Sequence, residues 1–420
     1  MCQNNISTCA THKEKLFFMF MMFIWVAQVS PLTGFNFEKN PILMPVYLVI
    51  LAYYYHNFGK LPIRPLLIYC VIFFVWIFAH TVYKGTFNGF GFVPIYSIII
   101  AHIAFNVYEK KEFIYFFQKV LYFFSILSLI VWTCANIIGA PFVNFMHAIA
   151  IHENTPPTET YSVLFGLGSQ FEFGLRRNIG FTWEPGVFSC WLLIGMFFNL
   201  ILKNFTIGFR KNKALWIFLV SLLTTFSTTG YACLSIILLF YVINKRSFAS
   251  KFIVIVGAIS ILPLIAGLSF MTDKIIGLTD IDAGFSAIDY HYKEGVQVVC
   301  PQRFTGIYCS FLNFINDYLF GFNKNELSFT SVKMFQAVVA PSEGIISILG
   351  QYGIFVGMFF YYWLYKSSVF LADAYKYKGK YIFLIFFITI SISYSFWFSC
   401  IPMYFYLSAY YQKYSKEYFK

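Results

Sequence analysis

Apolar runs of bilayer length recur along almost the whole chain and leave few folds open to it. About 20 apolar residues cross a hydrocarbon layer, with about 17 to 25 tolerated. By that measure spans fall near 16–30, 42–57, 65–83, 91–107, 115–138, 184–202, 213–227, 229–243, 252–269, 343–365, 381–398 and 400–412. The expected fold is an all-α integral membrane protein, a polytopic bundle of about 12 transmembrane helices in one domain over 1–420. Ten or eleven result if the short pairs merge. One pair joins at Ser227-Thr228-Thr229-Gly230, and Pro402 interrupts the final run.

Charge supports this class. Only 11% of residues are charged, against about 25% in soluble domains. A net charge of +12 would suggest nucleic acid in a soluble protein. Here the bilayer accounts for it, because basic residues collect in cytoplasmic loops. With the N-terminus inside, 21 of the 30 basic residues fall in inner segments, and the short outer loops hold only Lys39 and Lys84. The remainder lie in two long outer loops, 139–183 and 270–342. Both termini are therefore expected in the cytoplasm, and no nucleic-acid partner is expected. His12, Lys13 and Lys15 precede the run Leu16–Val29 with no small-residue cleavage site after it, which reads as a retained signal anchor. The nine cysteines form no C-x-x-C pair. Cys300 and Cys309 share a loop, but no required disulfide is expected.

Polar chemistry concentrates in Arg176-Arg177-Asn178-Ile179-Gly180-Phe181-Thr182-Trp183-Glu184-Pro185-Gly186-Val187-Phe188, where the first long loop enters an apolar helix. Arginine offers a planar donor fork suited to phosphate, and a helix N-terminus favours anions. Arg176, Arg177 and Gly180 at this junction, and Arg303 in the second loop, are candidates for holding a pyrophosphate. Lys324 and Lys333 are further substrate-binding candidates. The competing reading has these cations touching lipid head groups, or pairing with acids such as Glu172 or Asp289.

Glu184 sits at the start of an apolar helix, where a carboxylate complements the dipole. It also serves as a candidate base or as the group that orients an arginine. Glu343 has a similar place after the second loop, with Ser342 read as the N-cap of the next helix. The histidines show no H-E-x-x-H or other ligand spacing, and Asp280-Ile281-Asp282 reads as a solvated loop, so no metal site is expected.

Several of these residues together resemble a known family. The pieces are Arg177–Gly186 opening a span, then Phe226-Ser227-Thr228-Thr229-Gly230-Tyr231 between two short spans. Arg303 follows, then Tyr318-Leu319-Phe320-Gly321-Phe322, and Gln351-Tyr352-Gly353-Ile354-Phe355-Val356-Gly357 in a late helix. Their order over roughly residues 160–360 resembles the O-antigen polymerase (Wzy) and O-antigen ligase superfamily. That resemblance implies a glycosyltransferase of the bacterial inner membrane, working at the periplasmic face on undecaprenyl-pyrophosphate-linked sugars. It implies that Arg177 and Arg303 hold the pyrophosphate leaving group, that no metal or nucleotide cofactor is needed, and that a chain-length regulator is a partner.

The sequence departs from the family pattern at two points. Ligases place a histidine before the late Gln/Glu-x-Gly motif, where this chain has Pro341-Ser342-Glu343. This favours a polymerase and makes Glu343 the substitute. Some polymerases follow each loop arginine by ten residues and then a glycine, whereas Phe188 and Phe314 stand at that place, eleven residues after Arg177 and Arg303. The alternatives are an O-antigen ligase, or a flippase of lipid-linked oligosaccharide. The flippase fits less well, because few ionisable residues fall mid-span and no half-repeat is present.

Overall fold

The structure is a computed structural model and describes residues 10–28, 43–59, 63–85, 92–108, 112–149, 152–153, 160–161, 164–168, 170–245, 247–249, 252, 289–293, 296–300, 303–322, 328, 330, 338–339, 344–397 and 399–414. Apolar helices follow one another in the order α1 (His12–Gln28), α2 (Leu43–Phe58), α3 (Arg64–Lys84), α4 (Phe92–Val107), α5 (Glu112–Ile137) and α6 (Ala140–Ala148). They continue with α7 (Pro185–Leu202), α8 (Lys213–Thr224), α9 (Thr228–Asn244), α10 (Arg303–Asn316), α11 (Ser347–Tyr375), α12 (Ile382–Ile390) and α13 (Cys400–Tyr414). Among the described residues four helices, in α3, α5, α7 and α11, are long and apolar enough to cross a membrane. This architecture is consistent with an all-α membrane protein.

The chain divides into two compact units, residues 1–63 with 99–237 and residues 64–98 with 238–420. In the first, α7 is the central helix. A helix that is apolar all round needs neighbours on every side, and α5 and α8 pack on this one. Phe188, Trp191 and Phe197 are fully enclosed. Gly195 lets Leu121 of α5 approach the α7 backbone. Polar atoms at this depth are paired in a chain: Gln118 donates to the Gly195 carbonyl (2.8 Å), Asn199 donates to Gln118 (3.0 Å) and Asn212 donates to Asn199 (2.6 Å). An unpaired amide at such a position costs about 1–3 kcal/mol, which is why these three residues come as a connected set.

The start of α1 corrects one expectation. Thr11 and Glu14 form a reciprocal capping box, so the helix begins at His12, four residues before the expected span. Lys15, read as an inner flanking charge, is buried and pairs with Glu112 of α5 at 2.7 Å.

In the second unit α11 packs against α10, α12 and α13. The expected span 381–398 is helical only over Ile382–Ile390. The following residues instead receive the segment ahead of α11. Gly344 donates to the Ser391 carbonyl (2.6 Å), the Gly344 carbonyl accepts from Trp397 Nε1, and a Cβ at Gly344 would lie 2.7 Å from Ser395 Cα. The late helix starts later than expected: α11 begins at Ser347, with Ile346 in the cap position. Pro402 does not interrupt α13 but lies in its first turn, where no intrahelical N–H is required.

The two long loops carry structure that helix-length patterning misses. The first holds α6, a small antiparallel sheet of β1 (His152–Glu153), β2 (Thr160–Tyr161) and β3 (Gly166–Leu167), and a hairpin of β4 (Phe171–Glu172) and β5 (Leu175–Arg176). The second holds an antiparallel pair, β6 (Asp289–Lys293) and β7 (Val296–Cys300), with β8 (Val338–Val339) parallel to β7. Cys309 in α10 is a buried free thiol, lifted by burial to about 12. Residues 253–269 of the span expected at 252–269, the Asp280/Asp282 pair, Lys324, Lys333, Ser342 and Glu343 lie outside the described residues.

Candidate functional site

In the first unit the Arg176–Phe188 stretch is built outward from the β4–β5 hairpin. Its two turn residues, Phe173 (φ 53) and Gly174 (φ 76), both have left-handed backbone, the geometry that matches a two-residue hairpin to strand twist. A phenylalanine there costs about 1–2 kcal/mol. The hairpin delivers Arg176 to α5, where its N–H donates to Asn136 (2.8 Å) and its carbonyl accepts from Trp132. The guanidinium donates to the Gly168 carbonyl (2.9 Å) and lies 4.7 Å from the centre of the Phe171 ring. Burial pushes the Arg176 pKa below its ordinary value, but an arginine remains charged.

Arg177 turns towards the α8–α9 corner. Its Nε donates to the Thr225 carbonyl (3.0 Å), Nη2 to the Phe226 carbonyl (3.0 Å) and Nη1 to Gln170 Oε1 (2.7 Å). The two carbonyls close the C-terminal end of α8, the negative pole of its dipole. Phe226 itself is left-handed (φ 47), and its ring meets that of Phe173 at 6.1 Å. The fork that the sequence assigns to pyrophosphate is thus already braced against protein oxygens.

Below the arginines the chain is buried rather than looped in solvent. Asn178 donates to Thr224 Oγ1 (2.9 Å), and its Oδ1 accepts from Gly180 N (3.0 Å), which closes a tight turn. Gly180 has φ 58, and a Cβ there would overlap the Phe188 ring. Thr182 Oγ1 reaches the Glu184 carbonyl at 3.0 Å. Glu184 is the N-cap of α7, with extended backbone and Pro185 at N1, although its side chain makes no capping hydrogen bond. Ser227 caps α9 by accepting from Gly230 N (3.1 Å) and stands 3.1 Å from Ser189 of α7. Arg177 and Asn178 therefore join this stretch to residues 224–226, and Ser189 joins it to Ser227, while Arg176 is held by α5 and Gly168.

Arg303 belongs to the second unit. It is the first residue of α10 and half-buried, not a loop residue as expected. Downstream, residues 318–322 insert into the hydrogen-bond ladder of α11. Phe322 N donates to the Gly350 carbonyl (2.7 Å) and Ile354 N donates to the Tyr318 carbonyl (2.8 Å). In a continuous helix Ile354 and Gly350 would bond to each other. The interception breaks α11 at Gly353 (φ 74, ψ −178), and Trp76 Nε1 donates to the released Tyr352 carbonyl (2.9 Å). Gly321 (φ 71) is required by the same contact, since a Cβ there would lie 2.7 Å from the Gly350 carbonyl oxygen.

A buried ion pair completes this region. Asp317, just past α10, pairs with Lys84 at the end of α3, and the ammonium lies 4.1 Å from the centre of the Phe322 ring. Removing one partner of such a pair costs about 3 kcal/mol or more, whereas replacing both by apolar groups restores much of it. We expect Lys84→Met to lower the detergent thermal midpoint clearly and Lys84→Met/Asp317→Leu to recover at least half of the loss. A double variant less stable than the single one would contradict this.

Sequence reasoning missed Lys84, Asp317, Gln170 and Trp76. Only the first two left a signal, as ionisable groups flanking apolar runs. Comparison with family models, curated proteins and solved structures gives no match to this chain.

Proposed function

We propose that the chain is an O-antigen or related surface-polysaccharide polymerase. It joins undecaprenyl-pyrophosphate-linked oligosaccharide repeat units at the periplasmic face of the inner membrane, through a bundle of about twelve helices with both termini cytoplasmic. One observation carries this reading. The motif pieces that resemble the polymerase and ligase superfamily pack pairwise, 177–186 on 224–230 and 318–322 on 350–354. Pieces that are short and degenerate along the sequence thereby become two compact constellations, each built on strained or glycine-dependent backbone, which tends to mark functional sites.

In this reaction a hydroxyl of the acceptor glycan attacks the anomeric carbon of the donor. The bond from that carbon to the pyrophosphate oxygen breaks, and undecaprenyl pyrophosphate leaves with the electron pair. The hydroxyl proton passes to a carboxylate, for which Glu184 and Glu343 are the candidates. Positive charge stabilises the departing diphosphate, for which Arg177 with Arg176 is the candidate in the first unit and Arg303 the candidate in the second. Arg177 is held by three hydrogen bonds, so its charge is fixed before substrate arrives. The test is reconstitution of the full chain in liposomes with a lipid-linked repeat unit. A ladder of lengthened products is expected; a protein that inserts normally yet lengthens no lipid-borne saccharide would remove this reading.

A further inference from the structure

Helix α10 (Arg303–Asn316) is inside out. The residues it turns inward are polar or small: Thr305, Cys309, Ser310 and Asn313 are buried, as is Asp317 just beyond it. Asn313 and Asp317 use their polar atoms within the unit, whereas Ser310 Oγ has no hydrogen-bond partner among the described residues. Asn313 Oδ1 accepts from Thr330 N (3.1 Å), and Asp317 holds Lys84. Backbone contact is close, since a Cβ at Gly350 of α11 would lie 2.8 Å from the Ser310 carbonyl oxygen. The outward face carries Tyr308 (38% exposed), Phe311 (45%), Ile315 (53%) and, one turn on, Tyr318 (55%). These positions are spaced by three and four, so they form one stripe.

A helix at a water boundary shows the reverse order, with polar residues outward. Contiguous exposed apolar surface of this kind marks an interaction face. Two features of the same unit indicate what covers it. Helix α11, on which α10 packs, also exposes large apolar side chains, Phe355 (69%), Met358 (57%) and Tyr362 (49%), within a stretch of membrane-crossing length. The α10 stripe is bounded by tyrosines at both ends, and tyrosine concentrates where hydrocarbon meets head groups.

We infer that α10 lies in the interfacial layer of the bilayer, with Tyr308, Phe311, Ile315 and Tyr318 against lipid acyl chains. Small polar residues at a helix–helix contact and apolar residues towards lipid is the ordering expected of a helix packed within a membrane. Arg303, at the start of α10, then stands at head-group depth. This placement does not depend on which lipid-linked substrate the protein handles.

The test uses the full chain in nanodiscs of phosphatidylethanolamine and phosphatidylglycerol, with the photo-crosslinking residue p-benzoylphenylalanine at position 311, 315 or 316. After illumination, intact-mass analysis should show phospholipid adducts at 311 and 315 at least about tenfold more abundant than at 316, which is exposed but off the stripe. Adducts to peptides of the same chain or of a second copy, or no adduct at either stripe position, would overturn the inference. If a thermal midpoint shows that either substitution disturbs the fold, Tyr308 and Tyr318 carry the same comparison.

Discussion

Arg177→Lys should abolish chain extension, lowering lengthened product by more than about 100-fold, even though the charge is kept. Lysine is a point donor and cannot replace a fork that spans the Thr225 and Phe226 carbonyls and Gln170 at once. Two of the three bonds are lost, each worth about 1.5–3 kcal/mol when one partner is charged. Phe226 then holds its left-handed turn without a brace, and the contact between residues 177–182 and the α8–α9 corner loosens. The measurement pairs product ladders with the thermal midpoint of the purified variant. A fall in both is expected. Near-normal ladders from the lysine variant would show that charge alone suffices and that the brace has no bearing on activity.

Gly353→Ala should yield little folded protein. At φ 74 and ψ −178 the backbone occupies a region that is essentially glycine-only, with a cost of about 1–3 kcal/mol for strain alone. The added Cβ would also collide with the Leu319 carbonyl, and neither partner is the free end of a flexible side chain. Relieving the clash means expelling residues 318–322 from α11 and leaving the Gly350, Tyr318 and Tyr352 groups to find other partners in a dry setting. Fluorescence-detected size exclusion of the detergent extract is the check: a strongly reduced monodisperse peak is expected, with Gly321→Ala behaving alike. A Gly353→Ala protein with wild-type yield and midpoint would mean that α11 runs unbroken through this position.

Much of the helix framework was legible in the apolar runs. The stretch 65–83 is found as Arg64–Lys84, 184–202 as Pro185–Leu202, and 213–227 with 229–243 as two helices divided at residues 225–227. These positions could be read because burial in any apolar medium imposes the same composition on a helix. Where that reading failed, local hydropathy was satisfied by something other than a straight helix. Residues 391–397 leave the helix and pack around Gly344. Pro402 is harmless because a first turn needs no N–H from it. Lys15 looks like a flanking charge until Glu112 is seen to neutralise it.

The candidate site was legible as a place but not as a mechanism of assembly. Arg176, Arg177, Gly180 and Glu184 were singled out together because a polar cluster at the mouth of an apolar helix is costly without a purpose. That Arg177 grips the end of α8, 48 residues away, leaves no trace in the sequence.

The amino-acid sequence by itself determined that this chain is helical, apolar enough to cross a membrane, and polar at a few junctions, because each of those properties follows from residue type and short-range spacing. Tertiary structure alone decided which backbone oxygens hold Arg177, where α11 breaks, and why α10 hides its polar side. Those outcomes depend on long-range partners competing for hydrogen bonds and contact area.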